Sequence, residues 1–255
     1  MNNRKVIVAE GFENLKQEIA QIADIFGRKG QVIYEGRNKV KALTMADTSV
    51  VVKRFKHLNI IQSIVYTFFK KSKAERAFLF AAMMRKRGVL TPQEVACVEI
   101  KHIALLTDCY FISTPCYLPP LSTILRKEDF DRGIAHELGV AIARWHEAGV
   151  LHGDLNLTNI LYETELNGRC RFWLIDTNRS SFDNATYLNC INNIMRLSHD
   201  RHLLQYVVTT YAKTRGWEVE KTVADVMDCL ESFEQYKHKI GLVKKFFRTI
   251  TRKKK

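Results

Sequence analysis

The run Leu151–Leu161, LHGDLNLTNIL, constrains this chain more than any other stretch. Asp154 is followed five residues later by Asn159, and apolar residues close in on both sides: Val150 and Leu151 before, Ile160 and Leu161 after. Downstream, RFWLIDTN is an apolar run that ends on a second acid, Asp176. An acid, an amide and a second acid in this order suit the movement of a phosphoryl group. One acid orients the attacking hydroxyl, and the amide and the other acid hold a divalent cation on nucleotide phosphates. D-x-x-x-x-N alone arises often by chance. The full set, H-G-D-x-x-x-x-N-I-L followed by an apolar strand ending in I-D, is far more restrictive.

The rest of the chain bounds this reading. Its 255 residues can bury a substantial core, as one large domain or two lobes. An apolar fraction of 46% and a charged fraction of 26% describe a globular protein and exclude a disordered one. The net charge of +13 points to an anionic partner: nucleotide, nucleic acid or acidic membrane surface. Cys97, Cys109, Cys116, Cys170, Cys190 and Cys229 are scattered without a C-x-x-C pair, so reduced thiols in a cytoplasmic protein are expected. The N-terminus, MNNRKVIVAEGFENL, has no apolar core of a signal peptide, and no apolar run is long enough to span a membrane.

Periodicity predicts a strand at Lys5–Ala9, then a helix with Leu15, Ile19, Ile22 and Phe26 on one face. Gln31–Thr44 reads as a hairpin turning at GRN, and Ser49–Phe55 as a third strand ending near Lys53. Segment 59–71 carries Ile60, Ile61, Ile64, Val65, Phe68 and Phe69 at helical spacing, followed by Lys70, Lys71 and Lys73. It fits either a packed helix capping a small lobe or an interfacial helix resting on a membrane. Ser72–Arg87 is a helix carrying Glu75; Glu94–Glu99 and Cys109–Thr114 are strands. Phe130–Gly149 is a helix with core positions Ile134, Leu138, Ile142 and Trp145. Asn156–Tyr162 and Arg171–Ile175 are strands joined over Asn167-Gly168, a strong hairpin signal, and the remainder is mostly helical.

A phosphotransferase works mostly by positioning and charge stabilisation. Lys53 is placed to meet the α- and β-phosphates, and Glu75, on the next helix, to hold that lysine. Asn159 and Asp176 supply oxygen ligands of the kind Mg²⁺ prefers. Asp154 accepts the hydroxyl proton. Each could also be structural, Asp154 and Asn159 as turn residues and Glu75 as a solvated glutamate. His152 reads as a structural hydrogen-bonder rather than a base.

LHGDLNLTNIL, WLIDTN, SVVVK and Glu75 resemble the protein-kinase-like superfamily. VIYEGRNKVKAL, VVVKRF, the apolar helix before KSKAERAF, and SHDRHLL are most similar to the lipopolysaccharide core kinases, the Kdo/WaaP/InaA family, over about residues 30–211. The resemblance implies an α+β bilobal protein-kinase-like fold, with a small β-rich N-lobe and a mostly helical C-lobe. It also implies ATP and Mg²⁺ as cofactors, and phosphorylation of an inner-core sugar, Kdo, at the cytoplasmic face of the membrane. Lys53, Glu75, Asp154, Asn159 and Asp176 then take the roles given above. The expected division is 1–29 as an N-terminal extension, 30–116 as N-lobe, 117–236 as C-lobe and 237–255 as a basic tail. Atypical protein kinase and pseudokinase scaffold are the alternatives.

The chain departs from the kinase pattern in its phosphate-cradling loop, which has Gly36 as its only glycine within YEGRNK. Arg37 or Lys39 could supply charge there. Asp176 is followed by Thr-Asn-Arg and no A-P-E segment is present, which points to a constitutive enzyme. From Lys237 onward there are basic residues and no acids, with Ile240, Val243, Phe247 and Ile250 on one helical face. Such a tail could be a solvated helix, could bind an anionic membrane surface, or could contact RNA, although no stacking platform for nucleic acid is evident; the partner the resemblance implies is the lipopolysaccharide core or a lipid A precursor.

Overall fold

The computed structural model of the chain describes residues 2–56, 58–166 and 168–252, with side chains over 3–241. The chain forms two compact units, Met1–Pro119 with Trp173–Ser180, and Pro120–Phe172 with Ser181–Lys255.

The first unit contains β1 (Asn2–Val8), α1 (Lys16–Ala20), α2 (Ile22–Arg28), β2 (Gln31–Glu35), β3 (Lys39–Met45), β4 (Thr48–Arg54), α3 (Ile60–Phe68), α4 (Lys73–Lys86), β5 (Glu94–His102) and β6 (Leu105–Ser113). Its strands form one antiparallel sheet in the order β1-β5-β6-β4-β3-β2. β5 is buried continuously from Glu94 to Ile100 instead of alternating, so both of its faces need cover. One face is covered by Leu15, Ile19, Ile22 and Phe26, which pack on Leu43, Val50, Val52, Val98 and Ile112. The other is covered by Ala74, Ala77 and Phe78 of α4, which pack with Phe55, Cys97 and Cys109. The N-terminal strand and helices are therefore part of this unit: β1 is its edge strand and α1 and α2 form one of its layers.

Local chemistry fixes this layer. Lys41 is buried, and its Nζ donates to the carbonyls of Phe26 (2.6 Å) and Lys29 (3.0 Å), capping the negative end of α2. Gly30 follows at φ +94°, and a Cβ there would collide with Leu43 and the Ala42 carbonyl.

The apolar stripe of α3 does not pack into the unit. Ile60 and Ile61 are about three-quarters exposed (75% and 74%), as is Phe69 (77%), and Phe68 is 67% exposed. The helix docks through a polar face: Ser63 is buried, and the Thr67 hydroxyl donates to Ser63 O and accepts from Leu106 N–H. Apolar spacing alone suggests a core face here, and the buried Ser63 with the bonded Thr67 hydroxyl reverses it.

The second unit contains α5 (Ser122–Leu125), α6 (Arg132–Glu147), β7 (Val150–Leu151), β8 (Ile160–Thr164), the start of β9 (Cys170–Leu174), β10 (Ser181–Phe182), α7 (Tyr187–Ile194), α8 (Arg201–Arg215) and α9 (Val219–Arg252). Of the expected core positions of α6, Leu138, Ile142 and Trp145 are buried and Ile134 is half-buried. α6 and α8 approach closely at Gly139, where a Cβ would meet Thr210 and the Val207 carbonyl at 2.8 Å. Under this contact lies a buried polar set. His146 Nδ1 accepts from the Tyr211 hydroxyl (2.9 Å) and Nε2 faces Asn193 Oδ1 (3.1 Å), the tautomer these partners require. α9 runs unbroken through position 237, so no boundary marks the start of the basic tail. The tail's expected apolar face beyond Gly241, and Asn167 of the expected turn, lie outside the described side chains.

Candidate active site

In the first unit, β4 delivers Lys53 and the end of β9 delivers Asp176. Lys53 Nζ lies 2.8 Å from Asp176 Oδ1. The same oxygen accepts from Asn178 Nδ2 at 2.6 Å. Asp176 sits at φ 61°, ψ 46°, a left-handed conformation that costs a non-glycine residue about 1–2 kcal/mol.

Glu75 does not meet Lys53. Its Oε2 is 3.0 Å from Lys5 Nζ and its Oε1 is 2.8 Å from Lys71 Nζ. The expected Lys53–Glu75 tie is thus replaced by Lys53–Asp176. The cause is β1, whose register on β5 brings Lys5 opposite Glu99 and within reach of Glu75. Burial works to raise the Glu75 pKa, but hydrogen bonds from Lys71 and Lys5 outweigh it and hold the carboxyl below the ordinary range. Glu75 also occupies the third helical position after the Ser72 cap, whose hydroxyl accepts from Glu75 N–H at 3.0 Å.

The turn between β2 and β3 is engaged with itself. Gly36 N–H donates to Asn38 O (3.0 Å), and Lys39 Nζ pairs with Glu35 at 2.8 Å. A Cβ on Gly36 would run into the Tyr34 ring. Cations gather instead around Lys73: burial first, then Arg37, Arg179 and Arg76, depress its pKa. Such crowding of positive charge is relieved by an anion. In the sequence Lys73 shows only as a flank of α3, and the one signal for Arg179 is its place three residues beyond Asp176.

In the second unit, Asp154 begins a loop tied to its own backbone. The Asp154 carbonyl accepts from Asn156 Nδ2 (3.1 Å) and Asn159 Nδ2 (2.9 Å). Asn156 Oδ1 in turn accepts from Thr158 N–H and from the Thr158 hydroxyl. These bonds delay β8 to Ile160, later than alternation suggests. They also fix the Asn159 amide: its nitrogen faces Asp154, which leaves Oδ1 as the acceptor available to a cation. Asp154 lines a cavity of about 690 Å³ within this unit, with Asn156 and Thr158. His152 is buried at 2% exposure, as a structural residue would be. Among the described residues no group of three or more His, Cys, Asp or Glu forms a metal cluster. An oxygen site for Mg²⁺ does not need one, because the ion keeps several waters.

The fold is that of the protein-kinase-like phosphotransferases. A solved structure of WaaP in complex with acyl carrier protein superposes with a TM-score of 0.60 at 16% identity, covering 92% of this chain and 98% of that one. The amicoumacin kinase hAmiN, in complex with AMP-PNP, Ca²⁺ and Ami, gives 0.55 at 10% identity, covering 84% and 83%. The sequence profile of the lipopolysaccharide kinase (Kdo/WaaP) family matches residues 36–200, and the chain belongs to that family. A curated relative, the 3-deoxy-D-manno-octulosonic acid kinase of Vibrio vulnificus (strain YJ016), is 23% identical over 146 residues, 55% of this chain. The match spans 60% of that relative's length.

Proposed function

We propose that this chain is an ATP- and Mg²⁺-dependent kinase that transfers the γ-phosphate to a sugar hydroxyl of the lipopolysaccharide inner core, with Kdo as the acceptor sugar. The observation that carries this reading is Asp154 on a self-bonded loop, facing a cavity whose 690 Å³ is ample for a sugar. Family membership supports the reaction class, and the relatives' name supports the sugar. A structural relative bound to AMP-PNP and Ca²⁺ supports a nucleoside triphosphate with a divalent cation.

Asp154 orients the acceptor hydroxyl and takes its proton as the oxygen bonds to phosphorus and the bond to ADP breaks. This assistance is worth about 10²- to 10⁴-fold. Lys53 leaves Asp176 for the α- and β-phosphates, with Arg37, Lys39, Lys73 and Arg179 adding charge around the glycine-poor Gly36 turn. Asn159 Oδ1 and Asp176 would hold the cation, which neutralises phosphate charge when bound. Glu75 fastens β1 and the α3–α4 connection onto α4.

No helix among the described residues is long and apolar enough to cross a membrane. The exposed Ile60, Ile61, Phe68 and Phe69, followed by Lys70 and Lys71, support peripheral contact with the anionic cytoplasmic face of the membrane, where lipopolysaccharide precursors are presented.

The test is transfer of labelled phosphate from ATP to purified Kdo-lipid A with Mg²⁺, by wild type and Asp154→Asn. Transfer by wild type, lost in a folded Asp154→Asn, is expected. Nucleotide binding without transfer to any Kdo acceptor would refute the substrate assignment. Equal transfer by both proteins would refute the role of Asp154.

A further inference from the structure

The cavity beside Asp154 is walled by cations that have no carboxylate partner among the described residues. Arg126 and Lys127 enter it from the segment between α5 and α6, Arg196 from the end of α7, and Lys237 from α9. None of them makes an ion pair with another described residue. The neighbouring acids are already engaged. Asp200 caps α8 by accepting from His202 N–H (2.9 Å) and Leu203 N–H (3.2 Å). Glu234 is held by His199 at 2.7 Å and Arg201 at 3.2 Å. Besides Asp154, Glu128 is the remaining carboxylate on the wall.

Arg196 and Lys237 are moreover held on one ring. The Arg196 guanidinium lies 5.1 Å from the Phe233 centroid and Lys237 Nζ lies 4.4 Å from it. Cation–π contact draws each charge to the same aromatic surface. Two like charges sharing one ring repel, and a bound anion would turn that repulsion into paired, charge-assisted hydrogen bonds. A wall of solvated cations placed at random would not converge on the cavity that also holds Asp154.

We propose that this cavity selects acceptors by an anionic group, a carboxylate or a phosphate, which Arg126, Lys127, Arg196 and Lys237 bind while Asp154 meets the hydroxyl. The proposal rests on the kinase reading for what Asp154 does, but the anion site stands on the cavity alone. Kdo, by its full name 3-deoxy-D-manno-octulosonic acid, carries such a carboxylate. A phosphate on the same acceptor would satisfy the same donors.

The experiment titrates the full-length protein, with AMP-PNP and Mg²⁺ present, against the methyl glycoside of Kdo, its uncharged methyl ester, mannose 6-phosphate and mannose. Wild type is compared with Arg196→Gln/Lys237→Gln and with Arg126→Gln. Charge-assisted hydrogen bonds lead to an expected preference of about tenfold or more for a charged probe over its uncharged partner. This gap should shrink in both variants while their melting temperatures stay at the wild-type value. A gap for the Kdo pair assigns the carboxylate; a gap for the mannose pair alone assigns a phosphate. Equal binding of charged and uncharged probes, or a gap that survives both variants, overturns the proposal. Transfer kinetics on Kdo-lipid A separate the two readings. In the variants KM should rise with kcat within about threefold, as expected when uniform binding is lost. Charge-selective binding with no transfer to any sugar would sink the kinase reading and leave the anion site. Transfer by a wild type that binds acid and ester equally would do the reverse.

Discussion

His146 gives a pH dependence whose size can be worked from its surroundings. The imidazole is 2% exposed, enclosed by Tyr211 and Asn193, and burial pushes its pKa down to about 4 from an ordinary 6.5. The neutral ring fits this pocket, with Nδ1 accepting from Tyr211 and Nε2–H donating to Asn193. A proton on Nδ1 would oppose the tyrosine hydroxyl and be desolvated. In the unfolded chain the same ring protonates freely near pH 6.5. Between the two values the unfolded state binds more protons, so stability rises with pH in this window. The contribution is full above pH 6.5 and is lost as pH falls towards 4. Between pH 7 and pH 5 the loss is about 2 kcal/mol, and over the whole shift about 3 kcal/mol. For a chain of this size, 2 kcal/mol is roughly 4–8 °C in melting temperature. The assay is thermal unfolding at pH 7 and pH 5 of wild type and His146→Gln. An amide cannot titrate, so the variant, although less stable at pH 7, should lose about 2 kcal/mol less between the two pH values. An identical pH loss in both proteins would refute the reasoning, because it would show that His146 does not carry the linkage.

Further outcomes follow from other contacts. Changing Phe68 and Phe69 to Ser should release the protein from anionic vesicles in co-sedimentation while moving stability by no more than about 0.5 kcal/mol, since both rings are exposed; a large loss of stability would place them in the core. Glu75→Gln should weaken the hold on Lys5 and Lys71, and hydrogen exchange should show earlier opening of β1 if those contacts fasten it. The depressed pKa of Glu75 adds stability that is present above the ordinary carboxylate range and is lost as pH falls through the folded value, so Glu75→Gln should flatten an acid titration of stability below about pH 4.5. Leu138→Ala, at a site with no exposure on α6, should cost about 2–5 kcal/mol in denaturant unfolding, and a smaller cost would mean that the surrounding core closes around it.

Much of this protein is written in local sequence. The order Asp154, Asn159, Asp176 and the apolar residues around it point to phosphoryl transfer from the sequence alone, because the parts such a reaction needs lie close together in the chain. Helical spacing placed Leu15, Ile19, Ile22 and Phe26 on one face, and Leu138, Ile142 and Trp145 on another, because burial follows a period that neighbouring residues set. Tertiary structure decided what spacing cannot express. The stripe of α3 faces outward because the Thr67 hydroxyl bonds the Ser63 carbonyl and the Leu106 N–H beside the buried Ser63, so the polar face docks and the apolar face is left exposed. Glu75 bonds Lys5 because a strand seventy positions away in sequence lies along β5. Arg126, Arg196 and Lys237 share a cavity with Asp154 although nothing in their spacing connects them. Pairing of charge across such distances depends on which surfaces the folded chain brings together, and a sequence read along its length carries only the residues available to be paired.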